Sequence, residues 1–278
     1  MVTTRSLALG DTELVWEEQG EGTPVVFVHG AIVDRRVWRH QRDEFANRYR
    51  FVAYDQRHHG ESSRGAAAGP YSLAHHAEDL QALLRAIGGG PAHVVGFSYG
   101  ANVVLTALLA AAELVSKAVL VEPALDTVLP RDAVSHEAIA PRNETLKAVG
   151  AELQRGDDAA AMRLLAEWTD NGHTAGWEAA DPHYLAMLEA NVATLRMLFA
   201  APPGDPIDCA KLQKVKVATL VINGSETQPF YSLVGKRVAA CIPAAESVIL
   251  GGASHDSANQ VPALFNATIL EFLGRGDS

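Results

Sequence analysis

Short apolar runs recur along the chain and alternate with longer segments of helical periodicity. The opening differs, because residues 3 to 9 and 13 to 18, joined by Gly10-Asp11, are typical of an antiparallel hairpin at a sheet edge. The later runs are continuously apolar and end in small or polar residues, as buried parallel strands do. They are PVVFVHG (24–30), RFVAYD (50–55), AHVVGFS (92–98), KAVLVE (117–122), KVATLVI (216–222) and SVILGG (247–252). The pattern predicts an α/β fold with a mainly parallel, eight-stranded sheet flanked by helices.

Three segments between or after these runs carry one apolar stripe each at helical spacing. The stripes run from Leu73 to Ile87, from Ala101 to Leu108 and from Val261 to Phe272. One apolar face per helix is what packing against a sheet requires, so these residues are expected in the core.

The regular alternation stops between residues 123 and 215, where Ala-rich helical patterns continue without a convincing strand. We therefore predict a core domain formed by residues 1–122 and 216–278, with residues 123–215 inserted as a helical cap. Trp168, Tyr184 and Met187 are expected to contribute to a substrate site under this cap. The open alternative is that they pack only the insertion's own small core.

Composition and charge exclude several classes of protein. The 278 residues are 48% hydrophobic, which suits a large globular core, and 23 basic against 33 acidic residues give a net charge of −10. Such a chain repels phosphate backbones and anionic membranes unless a basic patch intervenes, and no such patch is evident. The expected partner is a small-molecule substrate, not nucleic acid or a membrane, and the chain is expected to be a monomer or homodimer.

Two cysteines, Cys209 and Cys241, are too few for a disulfide framework and are expected to be small core residues. The N-terminus lacks the apolar run of a signal peptide, and no stretch approaches a membrane span. A cytoplasmic protein is the resulting prediction.

The first chemical motif is Gly96-Phe97-Ser98-Tyr99-Gly100, which lies where an apolar run ends and a helical pattern begins. This strand–turn–helix context is the one that a Gly-x-Ser-x-Gly nucleophile elbow requires. The glycines allow a turn so tight that Ser98 is strained and its hydroxyl is exposed. Ser98 is therefore the candidate nucleophile, and the alternative is a helix-capping serine in a Gly-rich turn.

A serine hydroxyl needs a base, and His255 is the best placed of the eleven histidines. It follows the last strand among small residues and precedes the final helix, and the order Ser, acid, His suits this architecture. The backbone N–H groups of Ala31 and Tyr99 are expected to form an oxyanion hole. His29, at the end of an earlier strand, is expected near the substrate, mainly as a structural hydrogen-bonding residue.

No cofactor or metal is expected. Neither His58-His59 nor His75-His76 has a metal-binding spacing, since adjacent helical residues diverge by about 100°. Gly88-Gly89-Gly90 lacks the spacing of a phosphate loop and predicts a helix-ending turn.

Taken together, these segments resemble the α/β-hydrolase fold superfamily over nearly the whole chain. The matching pieces are VFVHGAIVDRRVW, YDQRHHGES, HVVGFSYGANVVL and GGASHDSANQVPALFNATILEFL. The resemblance implies that Ser98, His255, Ala31 and Tyr99 stand at the nucleophile, base and oxyanion-donor positions. His58 stands where the family more often has glycine, and we expect it and His59 to narrow or polarise the entrance.

The acid of the triad is less obvious. Most family members carry it shortly after the seventh strand, where this chain has Thr227, which cannot hold a negative charge. Neighbouring Glu226 is one alternative, and an incomplete triad is another. We favour Glu122, because it ends an otherwise apolar strand at the same sheet edge and Pro123 terminates that strand. Some haloalkane dehalogenases and the zearalenone lactonases, which are similar in fold, place their acid there.

These residues predict a serine hydrolase that cleaves a small to medium, largely apolar ester, lactone or related carbonyl compound through a Ser98-His255-Glu122 triad. Ser98 argues against the aspartate-dependent haloalkane dehalogenases and epoxide hydrolases of this fold. The alternatives left open are a cofactor-free dioxygenase, a C–C hydrolase, a perhydrolase and a ligand-sensing signalling protein.

Overall fold

A single eight-stranded sheet organises the chain in the computed structural model, which describes residues 1–62, 69–173 and 177–275. The strand order is β1-β2-β4-β3-β5-β6-β7-β8. The first two strands form an antiparallel hairpin at one edge, and β2 pairs antiparallel with β4. The other six strands, β3 to β8, all run parallel to one another. The strands are β1 Thr3–Ala8, β2 Glu13–Gln19, β3 Pro24–Val28, β4 Arg50–Tyr54, β5 Ala92–Phe97, β6 Val115–Val121, β7 Ala218–Gly224 and β8 Ala245–Leu250.

Helices cover both faces of this sheet and continue beyond it. They are α1 Arg42–Ala46, α2 Leu73–Ile87, α3 Tyr99–Ala111, α4 Ala133–Arg155, α5 Asp158–Asp170, α6 Pro182–Ala190, α7 Val192–Ala200, α8 Cys209–Leu212, α9 Pro229–Cys241, α10 Ser257–Gln260 and α11 Pro262–Leu273. The mainly parallel sheet with flanking helices predicted from the sequence is confirmed.

Alternate residues of the central strands enter two separate cores, as the two-residue period of a strand requires. Val26 and Val28 face the core formed with α2, α3 and α9. Val25 and Phe27 face the opposite core, which α11 and the helices between β6 and β7 complete. Because both faces are covered, the central strands are mostly apolar and buried, and the carboxyl ends of the parallel strands lie along one shared end of the sheet.

The segment between β6 and β7 holds helices α4 to α8, and no strand occurs among its described residues. Met187, predicted to contact substrate, is buried against the second core together with Leu188 and Leu195. Trp168 packs against both cores. These helices are therefore attached to the sheet through apolar contacts.

The prediction for the two cysteines was wrong. Cys209, at the start of α8, and Cys241, at the end of α9, are joined in a disulfide across 32 residues of sequence. Neither residue lies in a spacing that reveals its partner, because the packing of α8 against α9 brings them together.

None of the helices in the described ranges is long and apolar enough to cross a membrane.

Candidate active site

Ser98 stands in the tight turn between β5 and α3. Its backbone φ of 54° lies in the left-handed region, which non-glycine residues adopt rarely and mainly at functional sites. Its N–H continues the β5–β6 ladder by donating to the Val121 carbonyl at 2.8 Å. The residue is thus held at the sheet edge in the strained conformation that the elbow motif predicts.

The two glycines of the motif are required by close backbone approach. A Cβ on Gly96 would lie 2.6 Å from the Gly100 carbonyl oxygen, and a Cβ on Gly100 would lie 2.4 Å from the carbonyl oxygens of Val28 and His29. Real Cβ atoms are never that close to other backbone, so only glycine fits at either position. The elbow is therefore packed directly against the end of β3.

Glu122 occupies a second turn of the same kind, one strand further along the sheet. It has a φ of 50°, and its N–H donates to the Ile222 carbonyl at 2.8 Å, extending the β6–β7 ladder by one residue. The nucleophile and the favoured acid are thus presented in the same way, by strained residues directly after adjacent parallel strands.

The Glu122 side chain is completely buried, and donors surround its carboxylate. Oε1 accepts from the Gly224 N–H at 2.7 Å and from Asn223 Nδ2 at 3.2 Å. Oε2 accepts from Thr227 Oγ1 at 2.7 Å and lies 3.2 Å from His255 Nδ1. A buried charge is tolerated only when it is paired and hydrogen-bonded, and this carboxylate meets that condition. We call Glu122, Asn223, Gly224, Thr227 and His255 the acid network.

The His255 imidazole is fixed in orientation as well as in partner. Its ring lies between Tyr231, stacked at 4.0 Å between centroids, and Phe97 at 4.9 Å. Because a carboxylate only accepts, Nδ1 carries the proton in the neutral ring and Nε2 keeps a free lone pair. Phe97 immediately precedes Ser98, so its contact with His255 places the imidazole beside the elbow. Within the described residues Ser98 and His255 are not hydrogen-bonded to each other, a contact that often tightens only when substrate binds.

Close packing of the β7 and β8 loops brings His255 to Glu122. A Cβ on Gly224 would lie 2.2 Å from the Ala253 carbonyl oxygen and 2.4 Å from that of Ser254. A side chain at position 224 would therefore push the His255 loop away from the acid.

Glu226, the alternative acid, faces away from this network. Its side chain is 55% exposed and its carboxylate lies 3.1 Å from His173 Nδ1. A one-residue offset at a strand end directs the side chain elsewhere, and here it directs Thr227 inward and Glu226 outward.

Two backbone N–H groups next to Ser98 are available to a ligand. Neither Ala31 nor Tyr99 donates its N–H to another group in the described part of the chain. Gly30 brings the Ala31 loop close to the elbow, since a Cβ on Gly30 would lie 3.6 Å from the Ser98 Cβ. Unpartnered N–H groups beside a nucleophile can stabilise a developing oxyanion.

His29 is fully buried rather than exposed to a ligand. Its Nδ1 donates to the Gly30 carbonyl at 2.7 Å and its Nε2 accepts from the Gln56 N–H at 3.0 Å. Burial, reinforced by the charge of His59, lowers the pKa of His29 to about 3. The ring therefore ties the end of β3 to the turn after β4 as a neutral group.

His58 and His59 do not polarise an entrance, contrary to expectation, because they are only 4% and 0% exposed. His58 has a φ of 70°, in the left-handed region that favours glycine, so the resemblance's expectation of glycine at this position agrees with its backbone conformation. His59 packs against His29, with 4.8 Å between ring centroids. Both belong to a buried group that we call the histidine cluster; its members are His29, His58, His59, Tyr71, His76 and Tyr99.

A cavity of about 610 Å³ opens beside His255. Tyr184 and Met187, both predicted to contact substrate, line it together with Phe97 and Trp177. Ser98 is not part of its wall. Trp168 is absent from the wall as well, and instead packs on Tyr231 at 5.5 Å between centroids.

The cavity also has a polar side. Asp256 stands at the N-cap of α10, yet its carboxylate makes no capping bond and accepts instead from Asn259 Nδ2 at 2.8 Å. Burial raises the pKa of Asp256 to about 7. Arg39 and Asp181 form an ion pair in the same wall.

Sequence reasoning missed Asn223, Tyr231 and the inward role of Thr227. Asn223 immediately precedes Gly224 at the end of β7, and Tyr231 lies in α9 with no distinguishing spacing. The unusual residue at position 227 was a signal, but it pointed to an absent acid rather than to a hydrogen-bond donor. No group of three or more potential metal ligands occurs within the described residues.

Comparison with known proteins agrees with this architecture. The family described as alpha/beta hydrolase fold matches residues 23–161, which include β3 to β6 and the elbow. The chain therefore belongs to the α/β-hydrolase fold family.

Individual relatives extend the likeness to nearly the whole chain. A putative carbamate hydrolase RutD from Azorhizobium caulinodans is 26% identical over 96% of this chain and 97% of its own length. The non-heme chloroperoxidase CPO-A1 from Kitasatospora aureofaciens is 28% identical over 95% and 96% of the two chains. A solved hydrolase from Pseudomonas aeruginosa PA01 has a TM-score of 0.78 and 27% identity, and the match covers 98% of each chain. The family and these relatives support a hydrolase.

Proposed function

We propose that this protein is a serine hydrolase that cleaves small to medium ester, lactone or related carbonyl compounds. Ser98 is the nucleophile, His255 the general base and Glu122 the acid. The observation that carries the proposal is the buried, fully hydrogen-bonded Glu122 carboxylate 3.2 Å from His255 Nδ1, on the strand next to the Ser98 elbow.

The reaction follows from the protonation states. Nε2 of His255 removes the proton of Ser98 as Oγ attacks the substrate carbonyl carbon, and Glu122 stabilises the imidazolium that forms. The Ala31 and Tyr99 N–H groups hold the oxyanion. The imidazolium then protonates the leaving group, which departs as the acyl-enzyme forms. Water, activated by the neutral ring, attacks that ester and releases the acid and free Ser98.

The substrate is placed by the helical segment between β6 and β7. We propose that residues 123–215 act as a cap over a core of residues 1–122 and 216–278. In this arrangement Tyr184 and Met187 contact a largely apolar part of the substrate, while Trp168 holds Tyr231 against the base. The putative carbamate hydrolase among the relatives supports including carbamates among the related carbonyl compounds.

Perhydrolysis is the second candidate, because a chloroperoxidase without heme is 28% identical over 95% of this chain. In that reaction hydrogen peroxide replaces water as the nucleophile towards the acyl-enzyme and releases a peracid. Comparing the rates of peracid and acid formation from one ester, at increasing peroxide concentration, separates the two.

Labelling with a fluorophosphonate probe, followed by assay on p-nitrophenyl esters of increasing acyl length and on lactones, tests the proposal. Wild-type protein is expected to label and to hydrolyse, and Ser98→Ala to do neither. Ser247→Ala, which changes an exposed serine on β8, is the matched control and should keep both properties. Labelling that survives in Ser98→Ala would place the nucleophile elsewhere.

A further inference from the structure

Thr227 stands at the position where the family resemblance leads one to expect the triad acid, and here it contacts Glu122. Its Oγ1 lies 2.7 Å from Glu122 Oε2, across 105 residues of sequence. A carboxylate only accepts, so the threonine hydroxyl is the donor. The same Oε2 is the oxygen that lies 3.2 Å from His255 Nδ1.

We propose that Thr227 is a positioning residue for hydrolysis: its hydroxyl holds the Glu122 oxygen that orients His255. This inference rests on the proposed function, because it assigns Thr227 a role through the acid and the base. Thr227 itself touches neither substrate nor the reacting atoms.

The two carboxylate oxygens are anchored differently. Oε1 is held by the Gly224 N–H and by Asn223, both part of the end of β7. Oε2 has one donor besides the imidazole, which is Thr227. Removing the Thr227 hydroxyl therefore leaves the catalytic oxygen with the imidazole as its single described partner, while the rest of the carboxylate stays anchored. The change should act on chemistry more than on substrate binding.

The charge on that oxygen changes as well. A hydroxyl donor disperses the negative charge of a carboxylate, so its loss leaves more charge opposite the imidazole and favours the protonated ring. Because hydrolysis requires the neutral ring, the acidic limb of the pH–rate profile should move to higher pH. A residue that only supported the fold would lower stability without this change.

The test compares Thr227→Val, which removes the hydroxyl at similar volume, with Thr227→Ser, which keeps it. For Thr227→Val we expect kcat on a p-nitrophenyl ester to fall about ten- to a hundredfold, the range of one hydrogen bond to a charged group. KM should change little, and the acidic limb of the pH–rate profile should move to higher pH. Thr227→Ser should recover most of the rate and the wild-type profile.

Thr219→Val provides a matched control, because Thr219 lies on β7, is fully buried and donates its hydroxyl to a backbone carbonyl. It should leave kcat and the pH profile unchanged. An unchanged kcat in Thr227→Val would overturn the positioning role. So would an equal loss of kcat in Thr227→Val and Thr227→Ser, if both variants have a lowered melting temperature and an unshifted pH–rate profile. Wild-type activity that survives Ser98→Ala would instead count against the proposed function.

Discussion

Two buried polar regions flank Ser98, and they are built on opposite principles. In the acid network each oxygen of a buried carboxylate has two donor partners within 3.2 Å. The histidine cluster holds four imidazoles and two phenols, packed ring against ring, and His76 Nε2 has no partner among the described residues. The acid network supplies donors to both oxygens of its charged carboxylate, whereas the histidine cluster leaves a ring nitrogen of His76 without a partner among the described residues.

The difference follows from charge. An unpartnered buried carboxylate would cost several kcal/mol, so a buried acid has to be surrounded by donors. A neutral imidazole costs far less to bury, and burial keeps it neutral: it lowers the pKa of His29, His58 and His76. We infer that the acid network carries the chemistry and that the histidine cluster supports the turns after β3 and β4.

The largest expected effect is on catalysis, from neutralising the acid. Glu122→Gln keeps the shape of the side chain but cannot stabilise an imidazolium, so kcat should fall about 10³- to 10⁴-fold. Steady-state kinetics on an ester substrate measure the change. The kcat of Glu226→Gln, a change in the loop after β7, should equal that of the wild type, because the Glu226 carboxylate is exposed and paired with His173. A large loss in Glu226→Gln with a small one in Glu122→Gln would reassign the acid.

The histidine cluster should instead affect stability as a function of pH. The pKa of His29 is about 3 in the folded protein and near its ordinary 6.5 when unfolded. Between these values the unfolded chain binds a proton that the folded chain does not. Stability from this group is therefore complete above pH 6.5 and falls by about 1.4 kcal/mol per pH unit as pH drops towards 3.

Urea denaturation of wild type and His29→Gln at pH 7, 6, 5 and 4 measures this contribution as a difference. The comparison between variants is needed because the raised pKa values of Asp55 and Asp256 act with the opposite sign in the same range. His29→Gln should be less stable at pH 7 but lose less stability on acidification. His136→Gln, an exposed histidine on α4, is the control. Parallel pH curves for wild type and His29→Gln would contradict the assignment.

Sequence alone predicted the sheet and the candidate nucleophile and base, because each rests on local patterns. Continuous apolar runs mark strands buried on both faces, and the elbow needs only five consecutive residues. Glu122 could also be chosen locally, since a carboxylate that ends an apolar strand has no core explanation. Its strained φ, matching that of Ser98, was not visible in the sequence.

The partners of the acid could not be predicted in this way. Thr227 and Asn223 reach Glu122 across more than a hundred residues, and no periodicity records which side chains meet when β6 and β7 pair. The Cys209–Cys241 disulfide was missed for the same reason. The histidines of the turn after β4 were expected at an entrance, but ring packing against Tyr71 and His76 buries them.

A smaller effect would come from Gly235, a glycine inside α9 that the acid network requires. Replacing glycine by alanine in a helix normally stabilises it by up to about 1 kcal/mol. Here a Cβ at position 235 would lie 1.8 Å from the Asn223 side-chain oxygen, and Asn223 donates both to Glu122 and to the Tyr231 carbonyl. Gly235→Ala should therefore destabilise the protein by about 1–3 kcal/mol, the usual cost of overpacking, and lower kcat by displacing Asn223.

Gly150 in α4 is the matched control for this substitution. A Cβ there would meet Phe199 at an ordinary contact distance of 3.7 Å, so Gly150→Ala should keep its activity and gain stability. Urea denaturation and kcat of both variants give the comparison. If alanine at both positions stabilises the protein by the same amount, the packing of α9 does not constrain Asn223, and the acid network extends no further than the strand ends. A loss of stability in Gly235→Ala together with a gain in Gly150→Ala would show that the acid network extends through Asn223 to α9.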